Sequence, residues 1–87
     1  MVTVRVGEYF FAPSVVTVPR NSNIAFVNEG QIVHSWVVEA AGVGTPGVRP
    51  GESFVLTLNR VPAGTYTVYC DQAGHTQAGQ RGTLKIV

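Results

Sequence analysis

The single cysteine and one of the two histidines of this 87-residue chain lie close together in one glycine-rich stretch. Cys70 ends a strand-like run, and His75 follows in the polar loop beyond it. Thiolate and imidazole groups bind metal ions such as zinc and copper. Gln80 stands at the far end of the same loop, where its side chain can reach the same point. The stretch from Tyr66 to Leu84 therefore predicts a metal site.

Each of these residues alone has an ordinary alternative. A lone cysteine is most often a small buried hydrophobe, and a loop histidine is more often solvated than functional. The second histidine, His34, shares one face of a predicted strand with Trp36 and Val38, where a core histidine bonded to the backbone is the usual case. The metal interpretation therefore depends on the side chains coming together.

The elements that must bring them together are short β-strands. Val, Thr, Ile and aromatic residues recur in runs that Gly, Pro and Asn interrupt, without helical periodicity. Seven or eight such strands predict an all-β fold, a Greek-key β-sandwich formed by residues 1–87 as one domain. Residues 40–51, rich in Gly and Pro, are expected to form a loop without a regular element. The expected strands are Val2–Val6, Ser14–Val18, Ile24–Asn28, Val33–Glu39, Ser53–Leu58, Thr65–Cys70 and Gly82–Val87.

Composition narrows the classes of partner and site. Charged residues make up 13% of the chain and the net charge is +1, which argues against nucleic acid because phosphate binding needs a basic stripe. No run of about 18 apolar residues predicts a membrane span. No signal peptide is recognisable after Met1, which fits a natural start or a trimmed mature domain. One cysteine excludes an internal disulfide framework. A bound metal is therefore a candidate for stabilising the fold of so small a chain.

The direction of the strands decides whether the candidate ligands His34, Cys70 and His75 meet. His34 begins a predicted strand after a loop, and Cys70 ends another. If both loops lie at the same end of the sandwich, these two side chains and His75 converge there. One thiolate and two imidazoles form the trigonal donor set of a blue-copper electron-transfer site, which has a weak axial fourth donor.

Several segments, in order along nearly the whole chain, resemble the cupredoxins, the family of blue (type 1) copper proteins, and among them the plastocyanin- and auracyanin-like members. The copper-loop signature is matched by Tyr69–His75 with Gly79–Leu84. The first-ligand region is matched by Phe26–Asn28 with His34–Ser35. Two turns that lead into strands are matched by Arg49–Phe54 and Pro62–Tyr66.

The resemblance implies one copper ion per chain, cycling between Cu(I) and Cu(II), with His34, Cys70 and His75 as equatorial ligands. Gln80 occupies the place where most of the family has an axial methionine, and stellacyanin-like phytocyanins use glutamine there. We therefore predict Gln80 as the axial ligand. A harder amide oxygen favours Cu(II), so the reduction potential is expected to lie below that of a methionine-ligated relative.

Two alternatives to axial ligation by Gln80 remain at this point. The site could be three-coordinate, aided by the backbone carbonyl of Val33. Gln72 or Gln77 could replace Gln80, although neither precedes the Gly-Thr-Leu ending of the motif.

The residues around the ligands have expected roles of their own. Ser35 is expected to bond to the Cys70 loop, and the backbone amides of Asp71 and Thr76 to donate hydrogen bonds there. Asn28 is expected to hold the loop before His34. Trp36 is assigned to the core. Tyr69 is expected to face away from the copper, either as a second electron route or as an ordinary surface tyrosine.

The resemblance implies an electron-transfer protein rather than an enzyme, since both histidines serve one site and leave none for a second copper cluster. Redox protein partners are expected to dock at His75, within an apolar patch that includes Ala73, Val43 and Pro46. Near-neutral charge suits a small, weak contact of this kind. The chain is expected to be a monomer with a periplasmic or extracytoplasmic location.

Four other functions use the same residues. The chain could be a copper carrier or storage protein, or a module of a larger copper oxidase, nitrite reductase or membrane-anchored protein. Cysteine, two histidines and glutamine could instead bind zinc tetrahedrally. A copper-free recognition domain is the fourth, although such domains usually lose a ligand.

Overall fold

The structure is a computed structural model that describes residues 2–72 and 79–87. Those residues form nine strands and contain no helix, so the predicted all-β fold is confirmed. Within these residues there is therefore no helix that is long and apolar enough to cross a membrane. The strands are β1 (Val2–Gly7), β2 (Phe10–Ala12), β3 (Val15–Val18), β4 (Asn23–Asn28), β5 (Val37–Val38), β6 (Val43–Gly44), β7 (Ser53–Thr57), β8 (Gly64–Tyr69) and β9 (Arg81–Ile86).

Two sheets divide these strands between them. One has the order β2-β1-β4-β7 and the other the order β3-β9-β8-β5-β6. The pairs β1–β4 and β3–β9 are parallel, while the remaining neighbours are antiparallel. Because parallel neighbours cannot be joined by a tight hairpin, the chain must cross between the sheets. This produces a sandwich with one shared core.

The core follows from the alternation of side chains along the strands. In β4, Ile24 and Phe26 are buried on the face that the sequence predicts for them. Val4 in β1 and Leu84 in β9 reach the same cluster from the two sheets. Each fully buried aliphatic or aromatic side chain of this size contributes about 1.5–3 kcal/mol. The buried stripes therefore fix which faces of the sheets meet.

The predicted strand at residues 33–39 is wrong in its extent, because only Val37 and Val38 are strand. The backbone N–H groups just before them donate to side chains instead of a neighbouring strand. The N–H of Ser35 donates to Cys70 Sγ at 3.4 Å, and that of Trp36 donates to Thr45 Oγ1 at 2.9 Å. These bonds interrupt the ladder and bury Ser35 and Trp36 side by side.

The expectation of no regular element in residues 40–51 is also wrong, since Val43 and Gly44 form β6 against β5. Ala40 and Gly42 have φ angles of 67° and 69°. Left-handed residues so close together reverse the chain tightly and return it beside β5. The glycine content that suggested an irregular loop therefore builds a short hairpin.

Candidate metal centre

Three of the predicted ligands meet at one end of the sandwich. His34 follows β4, Cys70 follows β8 directly, and Gln80 directly precedes β9. The backbone N–H of Cys70 donates to the carbonyl oxygen of Gln80 at 3.3 Å, which joins the last two. The exposed fractions of His34, Cys70 and Gln80 are 0%, 1% and 0%. Their donor atoms are therefore shielded from bulk water.

The backbone of His34 is fixed by an isolated bridge to Val48. His34 N–H donates to Val48 O at 3.1 Å, and Val48 N–H donates to His34 O at 2.7 Å. Asn28, itself buried, donates from Nδ2 to the carbonyls of Ile32 and Val48, both at 2.8 Å, and accepts from Gly30 N–H at 2.8 Å. The predicted role of Asn28 in holding the loop before His34 is confirmed.

The Gln80 amide has one possible orientation. Its Nε2 group donates to the backbone carbonyls of Gly7 at 2.8 Å and Phe10 at 3.1 Å. Carbonyl oxygens only accept hydrogen bonds, so these contacts identify the nitrogen end of the amide. Oε1 consequently faces the other way, 2.8 Å from His34 Nδ1.

Both ring nitrogens of His34 face oxygen atoms that accept hydrogen bonds. Nε2 lies 3.3 Å from Glu8 Oε1, and Nδ1 lies 2.8 Å from Gln80 Oε1. A neutral imidazole carries one N–H. If that hydrogen is on Nε2 and donates to Glu8, the lone pair of Nδ1 points toward the lone pairs of the amide oxygen. A cation beside these two atoms would remove that repulsion, whereas with the hydrogen on Nδ1 this N–H donates to Gln80 Oε1. An imidazole nitrogen and an amide oxygen 2.8 Å apart, buried in the same region as the Cys70 thiol, are donors that fit a metal ion.

Ser35 connects the histidine segment to Cys70. Its backbone N–H lies 3.4 Å from Cys70 Sγ, and its hydroxyl lies 3.7 Å away. The hydroxyl makes a shorter bond to Asp71 Oδ1 and accepts from the backbone N–H of Asp71 at 2.9 Å. Because the hydroxyl has one hydrogen, the backbone N–H is the donor that remains for the sulfur. The predicted bond between Ser35 and the Cys70 loop is confirmed.

Glu8 is a neighbour of the site that the sequence did not reveal. It lies in the turn between β1 and β2, 26 positions from His34, and no local motif marks it. Its Oε1 accepts from the backbone N–H groups of Gln31 at 2.6 Å and Ile32 at 3.1 Å, and it lies 3.3 Å from His34 Nε2. The Gln31 N–H bond, supported by those of His34 and Ile32, lowers the pKa of Glu8 below its usual value despite partial burial. This carboxylate is therefore ionised at neutral pH.

Several predicted residues lie outside the described part of the chain. They are the third expected ligand His75, the loop residues Ala73 and Thr76, and the alternative ligand Gln77. Within residues 2–72 and 79–87, no three histidine, cysteine or carboxylate side chains gather as a metal site. The donors that do gather there include an amide.

The other candidates are placed as follows. Gln72, the remaining alternative axial residue, is half-buried and donates from Nε2 to Asp71 Oδ1 at 3.1 Å. Trp36 is fully buried, as predicted for a core residue. Val33 and Tyr69 are half-buried, and Tyr69 pairs with Val37 across the sheet.

The two residues expected to border the docking patch differ in exposure. Val43 is half-buried in β6, while Pro46 is exposed in the loop after it. Of these two residues, Pro46 is the one that is open to solvent.

Comparison with solved structures shows the same fold in copper proteins. Auracyanin B is 26% identical, with a TM-score of 0.82 over 99% of this chain and 87% of that one. A dithionite-reduced auracyanin from the photosynthetic bacterium Roseiflexus castenholzii is 18% identical, with a TM-score of 0.85 over 99% of this chain and 95% of that one.

A larger copper protein contains a similar domain. The Cu-containing nitrite reductase of Thermus scotoductus is 23% identical, with a TM-score of 0.78 over 99% of this chain but 22% of that one. No curated protein sequence matches the chain.

The family model for the cupredoxin-like domain matches residues 1–86, which is nearly the entire sequence. Members of this family are copper proteins with one copper site that alternates between Cu(I) and Cu(II). The two-sheet sandwich, the donor atoms at its end and this match agree, and the chain belongs to the cupredoxin-like family.

Proposed function

We propose that the chain is a small type 1 copper electron-transfer protein whose copper ligands are His34, Cys70, His75 and, axially, Gln80. The observation that carries this proposal is the orientation of the Gln80 amide. Two backbone carbonyls hold its nitrogen, so its oxygen is directed at His34 Nδ1. Ser35, the neighbour of His34, donates its backbone N–H to Cys70 Sγ in the same buried region.

The protein's part in electron transfer is to hold these donors still. When bound, copper supplies a one-electron redox centre. The Val48 bridge fixes the backbone of His34, and the Ser35 N–H fixes the sulfur of Cys70. Donors held in this way move little when the charge of the site changes by one, which keeps electron transfer fast. Burial excludes water that would otherwise reorganise with each transfer.

The partners in this proposal are redox proteins that dock at His75, beside Val43 and Pro46. Charged residues make up 13% of the chain, the net charge is +1, and Arg49 forms an ion pair with Glu52 at 3.4 Å. A weakly charged surface suits brief encounters better than tight complexes. We further propose that the protein is a monomer, is not itself an enzyme, and works outside the cytoplasm.

Addition of Cu(II) to the metal-free protein tests the site. An intense visible thiolate-to-copper band with a type 1 EPR signal is expected, and Cys70→Ser should abolish both. Gln72→Met, which changes a glutamine bonded to Asp71, is the matched control and should keep both signals. A folded wild type that binds Cu(II) without the band would refute the proposal.

Two rival metal functions are separated in the same preparation. A copper carrier would transfer its metal to a chelator as quickly as it exchanges electrons, whereas an electron carrier should exchange electrons much faster. A zinc protein would bind Zn²⁺ and show no thiolate-to-copper band after replacement by Cu(II). Copper transfer as fast as electron exchange would favour transport. Absence of the thiolate-to-copper band after zinc is replaced would overturn the redox proposal.

A second candidate is that the chain acts as one module of a larger copper enzyme. The similarity to part of a Cu-containing nitrite reductase favours it. An immunoblot of the source cells distinguishes the two, because a free carrier should migrate close to the size of the 87-residue chain. A product several times larger would favour the module.

A further inference from the structure

We propose that Glu8 is a positioning residue for the copper site: its carboxylate holds the Nε2–H of His34, so that Nδ1 is left to bind the metal, and its negative charge favours Cu(II). This inference rests on the function proposed above. It gives a role to a residue that no motif in the sequence identifies and that stands outside the expected ligand set.

The carboxylate is held firmly enough to position another group. One oxygen, Oε1, accepts from the Gln31 N–H and the Ile32 N–H and lies 3.3 Å from Nε2 of the His34 ring. The loop before His34 lies directly against it, since a Cβ added to Gly30 would stand 2.6 Å from Glu8 Oε1 and 2.9 Å from Oε2. Only a residue without a side chain allows this close approach. The β1–β2 turn and the loop before His34 therefore hold the Glu8 carboxylate beside Nε2 of the His34 ring.

The same turn positions the Gln80 amide. Gly7 and Phe10, on either side of the turn, supply the two carbonyls that bind Gln80 Nε2. Tyr9 places its ring edge-on to the His34 ring, with centroids 6.3 Å apart. One short segment of the β1–β2 connection thus sets the direction of both His34 and Gln80.

The contact determines which ring nitrogen is available to a metal. Glu8 Oε1 and Gln80 Oε1 can each accept the one hydrogen of the neutral imidazole, and the charged carboxylate is the stronger acceptor, so we expect it to hold the hydrogen on Nε2. Nδ1 then presents its lone pair to the interior, where Gln80 Oε1 lies 2.8 Å away. Partners of this kind fix ring orientation and raise the basicity of the ligand. A more basic ligand and a nearby negative charge both stabilise the more positive metal ion.

The position of the carboxylate limits the electrostatic part of this proposal. The Glu8 side chain is 31% exposed, so water screens its charge in part, while the contact with Nε2 conveys its effect to the ring.

Two variants separate the charge from the hydrogen bond. Glu8→Gln retains an oxygen that accepts from His34 and from the loop but removes the charge. In the copper-loaded protein, the Cu(I)/Cu(II) ratio at a fixed applied potential should rise about tenfold, an upward shift of about 59 mV for a one-electron couple. The ring nitrogen that carries the hydrogen should remain Nε2.

Glu8→Ala removes the acceptor as well. In the metal-free protein, ¹⁵N NMR of the His34 ring should show the hydrogen shared between Nδ1 and Nε2, whereas the wild type holds it on Nε2. Cu(II) affinity should fall about 10–100-fold. The matched control is Glu52→Gln, which removes an exposed carboxylate paired with Arg49 and should leave the potential, the NMR spectrum and the affinity unchanged.

The proposal is overturned if Glu8→Gln and Glu52→Gln have the same potential, or if Glu8→Ala leaves the His34 tautomer as in the wild type. Should Glu8→Ala fail to fold by circular dichroism, Glu8→Gln decides through its potential. A wild type that forms no blue copper site would refute the proposed function. The NMR measurement on metal-free protein would still establish whether Glu8 sets the tautomer.

Discussion

The middle of the sandwich and the end that holds the proposed metal site are both buried, but different interactions hold them. In the middle, apolar side chains such as Val4, Phe26 and Leu84 pack between sheets whose backbone groups pair in regular ladders. At the end, polar side chains are buried and backbone N–H groups leave the ladder to reach them. The buried polar residues are Asn28, His34, Ser35, Thr45 and Gln80.

The two regions differ in how strictly the stability of the fold depends on the identity of each buried side chain. In the middle, any apolar side chain of suitable volume recovers most of the stability. At the end, a buried donor or acceptor without its partner costs about 1–3 kcal/mol. Every buried side-chain nitrogen and oxygen within residues 2–72 and 79–87 has a hydrogen-bond partner. The middle should therefore dominate stability, and the end should dominate the chemistry of the metal.

The largest effect on folding should come from Phe26→Ala in the middle. Loss of a fully buried aromatic ring, with the cavity it leaves, is expected to cost about 3–5 kcal/mol. Urea unfolding of the metal-free protein measures it. Val55→Ala, on the exposed side of the adjacent strand β7, is the control and should change stability by less than about 0.5 kcal/mol. A cost below about 1 kcal/mol for Phe26→Ala would contradict the comparison.

Asn28→Ala should have an intermediate effect, because it removes one side chain that makes three hydrogen bonds. The Ile32 carbonyl and the Gly30 N–H lose their Asn28 partner, and the Val48 carbonyl keeps the His34 N–H. The expected cost is about 2–3 kcal/mol in the same unfolding measurement. Asn23→Ala changes an exposed asparagine of the same strand and should be close to neutral. Equal costs for the two variants would show that the polar end is not held by these bonds.

Gln80→Met should have the smallest effect on stability and a clear effect on the metal. The carbonyls of Gly7 and Phe10, the first buried and the second partly buried, lose the amide donor, at an expected cost of about 1–2 kcal/mol. A softer thioether favours Cu(I), so the potential should rise by about 59 mV, a tenfold change in the Cu(I)/Cu(II) ratio.

Voltammetry of copper-loaded protein measures this potential. Gln72→Met supplies the control, since Gln72 bonds to Asp71 and should leave the potential unchanged. An unchanged or lower potential in Gln80→Met would mean that the amide oxygen does not act on the copper.

Much of the fold could be predicted because alternation along a strand is a local property. Ile24 and Phe26 show it directly, and the structure buries both. The errors occur where backbone groups find unusual partners. Residues 33–39 have the composition of a strand, but Cys70 Sγ and Thr45 Oγ1 take the N–H groups of Ser35 and Trp36. Neither acceptor can be recognised from the local sequence.

For the candidate site too, some residues could be predicted from the sequence and one could not. The family resemblance singled out His34, Cys70 and Gln80 by residue type and spacing, and the structure brings these three together. The assignment of His75 as a ligand stays a prediction, because it lies outside the described residues. Glu8 was missed because its position beside His34 depends on two segments far apart in sequence.

The all-β class and the buried faces of the strands follow from side-chain chemistry and short-range spacing, and the family resemblance adds the expected copper ligands. The direction in which those side chains point depends on tertiary contacts. The direction of the Gln80 amide depends on the carbonyls of Gly7 and Phe10, and the contact between His34 Nε2 and Glu8 joins segments 26 positions apart. A hydrogen bond between distant segments forms only after both are folded, so no local pattern can encode its direction.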